Sequence, residues 1–207
     1  MSQRTLVVVS AGLSQPSSTR LLADQLAGAT RQELDAHGVT LDTHTVDLRG
    51  HGHDLINHMI TGFASPGLQQ VMDTVTGADG LIAVTPIFNA SYSGLFKSFF
   101  DVLGDESLVD KPVLIAATGG SARHSLALEH AMRPMFVYLR AVVVTTSVFA
   151  ASEDWAGAST EAPLRHRIER AAHELAEQMR RHDGSARADP FTLTTSFDQL
   201  LSGEDPS

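Results

Sequence analysis

The chain contains no cysteine. Disulfides, thiolate zinc sites, iron–sulfur ligation and cysteine nucleophiles are therefore excluded. Basic residues are scarce as well: 15 Lys and Arg against 24 Asp and Glu leave a net charge of −9. Nucleic-acid binding needs clustered Lys and Arg to replace phosphate counterions, so no such partner is expected. Long apolar runs are missing. Residues 6–9 and 114–117 are apolar throughout, but both fall far short of the ~20 residues that cross a bilayer. The first residues show no basic stretch followed by an apolar core. A cytoplasmic protein without a membrane partner is the expectation. With 207 residues, the chain buries a core without covalent or metal staples.

What is present is an alternation of short β-branched runs with longer amphipathic stretches. Residues 5–9, 81–85 and 113–117 are compact apolar runs, the pattern of strands buried on both faces. Residues 39–48 alternate through Val39, Leu41, Thr43 and Thr45, and residues 141–148 give a fifth strand. Between them, helical spacing recurs over 17–36 (Leu22, Leu26, Ala29), 68–75 and 94–103 (Leu95, Phe99, Leu103), and later over 125–139 and 164–179 (Leu164, Ile168, Ala172, Leu175, Met179). Pro134 lacks an N–H and should kink or split its helix. Five strands alternating with helices predict an α/β domain over residues 1–183, a parallel sheet covered on both faces. The tail, residues 184–207, is polar with two prolines, yet carries Phe191, Leu193, Phe197, Leu200 and Leu201. That pattern predicts docking, on the domain or on a neighbouring subunit.

Doubly wound sheets bind ligands at the carboxyl ends of their strands, so three loops matter most. After the first strand, Ser10, Ser14, Ser17, Ser18 and Thr19 crowd the start of a helix. Unpaired N–H groups and hydroxyls there suit a phosphate, although an ordinary Ser-rich N-cap has the same composition. The loop is neither Gly-x-Gly-x-x-Gly nor Gly-Lys-Ser/Thr, which disfavours a dinucleotide-binding Rossmann core and an NTPase. After the third strand, Pro86 stiffens a turn that leaves Phe88 as a flat ring for a planar heterocycle, or as a side chain buried in a neighbouring loop. After the fourth, Thr118, Gly119 and Gly120 either let backbone approach a ligand or simply form a flexible connection.

These residues resemble the NADPH-dependent FMN reductase family, within the flavodoxin-like fold. Three stretches carry the resemblance: 17–19, 85–97 from Thr85 to Lys97, and 117–121 followed by His124. It is strongest toward FMN reductases that serve two-component monooxygenases, and it spans about residues 6–148. It implies a five-stranded parallel sheet of order 2-1-3-4-5. It implies that Ser10, Ser17, Ser18 and Thr19 hold the FMN phosphate, and that Pro86, Ile87, Phe88 and Asn89 flank the isoalloxazine and ribityl groups. Thr118, Gly119, Gly120 and His124 would lie near the ring edge. The implied cofactors are FMN and NADPH or NADH, with no side chain acting as a catalytic acid or base. The implied partner is a flavin-dependent monooxygenase taking reduced FMN. Two departures stand out: Gln15 where many relatives carry Arg, and Phe88 where Tyr is frequent. Both fit weak flavin retention, and Arg20 is the candidate replacement charge. A flavodoxin-type electron carrier, or quinone or azo reduction on the same flavin, are the alternatives.

Other features are read more plainly. The 10 histidines invite a metal site, and His51, His53 and His58 are the densest group. No third ligand of fixed geometry is visible, so a solvated loop is expected there. Ser121 and Ser125 beside His124 lack the Gly-x-Ser-x-Gly elbow of a hydrolase. His130 is expected in the core or an interface, and Trp155 in a surface turn. The resemblance implies a homodimer or homotetramer, with Met132, Met135, Phe136 and Leu139 supplying apolar surface. Arg20, Arg123 and Arg133 are the candidates to meet a dinucleotide phosphate.

Overall fold

The computed structural model describes residues 3–104, 106–156 and 158–181. The tail from Gly184, expected to dock, lies outside the described residues. Strand β1 (Gln3–Ser10) sits in the middle of the sheet between β2 (Thr40–Asp47) and β3 (Gly80–Phe88), and both pairings are parallel. Beyond β3 lies β5 (Pro112–Gly119), also parallel. Alternate β1 residues serve opposite faces, as the two-residue period of a strand requires. Leu6 and Val8 meet α1 (Ser18–Ala36) and α6 (Ala158–Arg181), while Val7 and Val9 face the other core. That second core is covered by α2 (Gly52–Thr61), α3 (Pro66–Gly77), α4 (Gly94–Asp101) and α5 (Arg133–Tyr138).

The expected strand order is present with two corrections. Among the described residues the sheet has seven strands, not five. One addition is β4 (Ser91–Tyr92), a short antiparallel return onto β3. The other arises because the fifth strand is broken. Instead of one run over 141–148, β6 (Val142–Val143) pairs the start of β5 and β7 (Val148–Ala151) pairs its end. Side chains compete for the backbone between the two pieces. The Arg133 guanidinium donates to Val144 O at 3.0 Å and Thr145 O at 3.1 Å. The Glu174 carboxylate accepts both the N–H and the hydroxyl of Thr146 at 2.7 Å. Arg133 also hydrogen-bonds Glu129, and this, with Ser147, holds that carboxyl below its usual pKa.

Two further readings change. Residues 51–61, expected as a solvated loop, form a 3-10 turn and then α2, which closes at Gly62 in the left-handed region (φ 78°). Residues 125–139 are split as Pro134 predicts: a π turn over Leu128–Met132 precedes α5. In that turn Arg133 N–H reaches back five residues to Leu128 O. The split directs Met132 and Phe136 fully into the core, so neither supplies outer apolar surface. Leu126, Val137 and Tyr138 are the exposed ones instead. His130 is exposed and not in the core, and Trp155 closes a 3-10 turn while packing partly against the core of α1 and α6.

Candidate functional site

The carboxyl ends of β1, β3 and β5 bring the three expected loops to one edge of the sheet. The first loop is drawn tight. Ala11 N–H donates to Val84 O at 2.9 Å, which ties the loop to β3. Ser17 caps α1 by accepting from Arg20 N at 3.2 Å. At Gly12 any Cβ would stand 2.1 Å from Ser17 Oγ, so only glycine permits the curl that delivers Ser17 to the helix end. Ser10 is fully buried at the end of β1, and among the described residues its Oγ has no hydrogen-bond partner. An unpaired buried hydroxyl costs about 1–3 kcal/mol, so its survival at the base of a hydroxyl-rich, N–H-rich loop points to a group that binds there. Ser18 is exposed. Thr19 is buried, and its hydroxyl meets that of Thr118 at 2.8 Å. Sequence reasoning missed that link, because the two residues belong to different loops.

The charge of the loop also resolves. Residues 10–19 contain no Lys or Arg. Arg20, the candidate replacement, is engaged in an exposed ion pair: its Nε donates to Asp24 Oδ1 at 2.8 Å. An Asp four residues after an Arg on one helix was the available signal. The loop would therefore hold an anion through hydroxyls, backbone N–H groups and the helix end alone.

The second loop is a hairpin between β3 and β4. Asn89 and Ala90 both take left-handed backbone (φ 48° and 68°), as a two-residue hairpin turn of primed type requires. Asn tolerates this; Ala bears the steric cost of Cβ. Behind the turn, Thr85 Oγ1 accepts from Ser93 N at 3.1 Å, and Ser93 Oγ accepts from Phe96 N at 3.2 Å, which fixes the hairpin to the start of α4. Pro86 and Ile87 are half-buried, and Phe88 stands 48% exposed. The exposed ring is the alternative that suits a heterocycle, not a side chain buried in a neighbouring loop.

In the third loop Thr118 is buried, Gly119 half-buried and Gly120 exposed. A Cβ on Gly119 would come within 2.8 Å of Phe149 Cζ, so β7 packs directly on bare backbone here. Gly120 has open space around it. His124 follows in a 3-10 turn over Ala122–His124 and is exposed. Together these groups offer an apolar plane at Phe88, open backbone at Gly120 and a cradle of donors at Ser10 and Ser17. The arrangement fits a planar heterocycle joined to a phosphate, and Ser10 supplies the vacant hydrogen-bonding capacity. Beside the hairpin tip lies a cavity of about 290 Å³, lined by Ala90, Arg123, His124, Leu126, Ala127 and His130 among others. Of its lining, His124 was expected near the ring edge and Arg123 was a candidate for a dinucleotide phosphate.

Comparison with known proteins identifies relatives across most of the chain. The model of the family described as NADPH-dependent FMN reductase matches residues 4–156. The chain is 34% identical over 172 residues to an FMN reductase (NADPH) of Pseudomonas aeruginosa, covering 83% of this chain and 90% of that protein. It is 34% identical over 151 residues to the NADH-dependent FMN reductase SfnE of Pseudomonas putida, covering 73% and 78%. Among solved structures, an oxidoreductase from Corynebacterium diphtheriae superposes with a TM-score of 0.85 at 46% identity, covering 87% of this chain and 99% of that one.

Proposed function

Because the chain belongs to the NADPH-dependent FMN reductase family, we propose that it reduces FMN at the expense of a nicotinamide dinucleotide and releases the reduced flavin to a separate monooxygenase. It is an NAD(P)H-dependent FMN oxidoreductase; the release and the recipient are the further step. The flavin, when bound, supplies the redox chemistry: the nicotinamide C4–H bond breaks, a flavin N5–H bond forms, the dinucleotide is oxidised and the flavin reduced. The chain's own part is positioning. Ser10, Ser17, Ser18 and Thr19 would hold the phosphate, with Thr118 bracing Thr19. Pro86, Ile87, Phe88 and Asn89 would flank the ring system and ribityl chain, and Thr118, Gly119, Gly120 and His124 its far edge. Holding two reactants in register is what such a site contributes to the barrier. Exposed N–H groups at the Gly119–Gly120 turn would face charge developing on the ring.

Release is carried by one observation: residues 10–19 of the phosphate loop contain no Lys or Arg, and Arg20 beside them is ion-paired with Asp24. An ion-paired Arg–phosphate contact is roughly twice as strong as a neutral hydrogen bond, and its absence here favours exchange. No helix among the described residues is long and apolar enough to cross a membrane, and a cytoplasmic setting completes this reading. The test is steady-state oxidation of NADPH and NADH with and without added FMN, on protein whose visible spectrum is recorded. Turnover that requires free FMN and saturates in it supports the reading. Tightly bound yellow flavin with no oxidation of either dinucleotide overturns it and leaves an electron carrier.

A further inference from the structure

The cavity beside the hairpin tip has a composition that the flavin loops do not explain. Its lining is part apolar, through Ala90, Leu126 and Ala127, and part polar, through Arg123, His124 and His130. At about 290 Å³ it stands at the small end of ligand clefts, which run ~300–1,000 Å³. It would therefore receive one end of a dinucleotide and not the whole. Its lining joins the turn after Gly119–Gly120, through Arg123 and His124, to Ala90 in the left-handed turn two residues beyond Phe88.

Three arginines were candidates to meet a dinucleotide phosphate, and the structure separates them. Arg20 is paired with Asp24. Arg133 is occupied by Glu129 and by the carbonyls of Val144 and Thr145. Arg123 is exposed and lines the cavity, and among the described residues its side chain has no hydrogen-bond or ion-pair partner. A free guanidinium presents five donors in a planar fork that matches phosphate. The imidazoles of His124 and His130 add N–H donors to the same lining. In a chain of net charge −9, a local cation offsets the repulsion that an anionic substrate meets.

We propose that Arg123, flanked by His124 and His130, is the side chain that contacts the phosphate groups of the nicotinamide dinucleotide. The proposal rests on the reductase reading above. It makes two sources of phosphate distinguishable, the pyrophosphate common to NADH and NADPH and the 2′-phosphate that only NADPH carries.

The experiment compares wild type, Arg123→Ala and Arg123→Lys. KM and kcat are measured for NADPH and NADH at saturating FMN, and flavin-free protein is titrated calorimetrically with NADP+ and NAD+. For Arg123→Ala the expected result is a rise of about tenfold or more in KM for NADPH and in Kd for NADP+. The KM for FMN and the melting temperature should stay as in wild type, and Arg123→Lys should recover part of the loss. Equal losses with both dinucleotides place the contact at the pyrophosphate; a loss confined to NADPH and NADP+ places it at the 2′-phosphate. Unchanged Kd and KM for both in Arg123→Ala overturn the site. Wild type that oxidises neither dinucleotide defeats the reductase reading itself, which is a separate failure.

Discussion

At the scale of single residues, Ser10 gives the sharpest test of the phosphate loop. Its hydroxyl is buried without a partner in the flavin-free chain, so removing it should relieve a cost where ligand is absent and create one where ligand binds. Ser10→Ala is expected to raise the unfolding free energy of flavin-free protein by about 1 kcal/mol, at the low end of what an unpaired buried hydroxyl costs. The same change should weaken FMN about tenfold, or about 1.4 kcal/mol. Denaturant unfolding without flavin and a fluorescence titration with FMN read the two signs separately. A destabilised variant with unaltered FMN affinity would mean that Ser10 serves only the fold. What was legible at this scale was whatever a single loop encodes: Ser17 as a helix cap, Phe88 left exposed after a proline, and Gly119 as bare backbone. What was not legible depends on contacts across loops. The Thr19–Thr118 hydrogen bond spans 99 positions, and no local pattern announces it. Arg123 carries no motif either, and only the folded chain shows that its two rivals are engaged.

At the scale of elements, the sequence misled where apolar signal was thin or where side chains took over the backbone. Helix α2 buries Leu55 as its one fully covered residue, and its histidines and flanking glycines read as a loop. The fifth strand has a continuous β-branched pattern, yet Arg133 and Glu174 capture its middle. A comparable junction joins α3 to β5, and it makes stability depend on pH. Lys111 is buried beneath the end of α3, where its Nζ donates to Thr76 O at 3.0 Å and also to Ala78 O. Burial pushes its pKa from 10.5 down to about 8, against a smaller opposing pull from Asp79. A neutral amine still has two hydrogens for those two carbonyls, so the folded chain tolerates losing the proton. Between pH 8 and 10.5 the unfolded chain holds a proton that the folded chain has lost, so stability rises with pH across that window. The full rise from this group is about 3 kcal/mol, and it disappears as pH falls through 8. Urea unfolding from pH 7 to 10.5 should show that upward slope, and Lys111→Met should flatten it. Identical slopes in the two proteins would remove Lys111 as the cause.

At the scale of the whole molecule, the layered architecture was legible because both cores draw on the same strands by simple alternation. Leu6 and Val8 point one way and Val7 and Val9 the other; the strand order came from the resemblance alone, since more than one order has helices on both faces. How copies of the chain assemble was less legible, because the outer surface depends on the split at Pro134. The apolar side chains that reach the surface there are Leu126, Val137 and Tyr138, the last 85% exposed. Tyr138 also lines a cleft of about 600 Å³, together with Tyr92, Phe100, Pro134, Met135 and Leu139. A second apolar stripe runs along α2 and just past it, through Ile56, Met59, Ile60 and Phe63, at helical spacing and exposed throughout. Monomers rarely leave large contiguous apolar patches open to water. One self-complementary patch closes a two-fold dimer, whereas two independent patches build a dimer of dimers. We therefore expect a homotetramer by sedimentation at micromolar concentration. Tyr138→Arg and Phe63→Asp should each reduce it to dimers, because each places a charge in one interface and spares the other. The double variant should sediment as a monomer with its far-UV spectrum intact. If either single variant yields monomers directly, the two patches belong to one interface and the assembly is a dimer. If wild type is a monomer at every concentration, neither patch is an interface between copies of this chain.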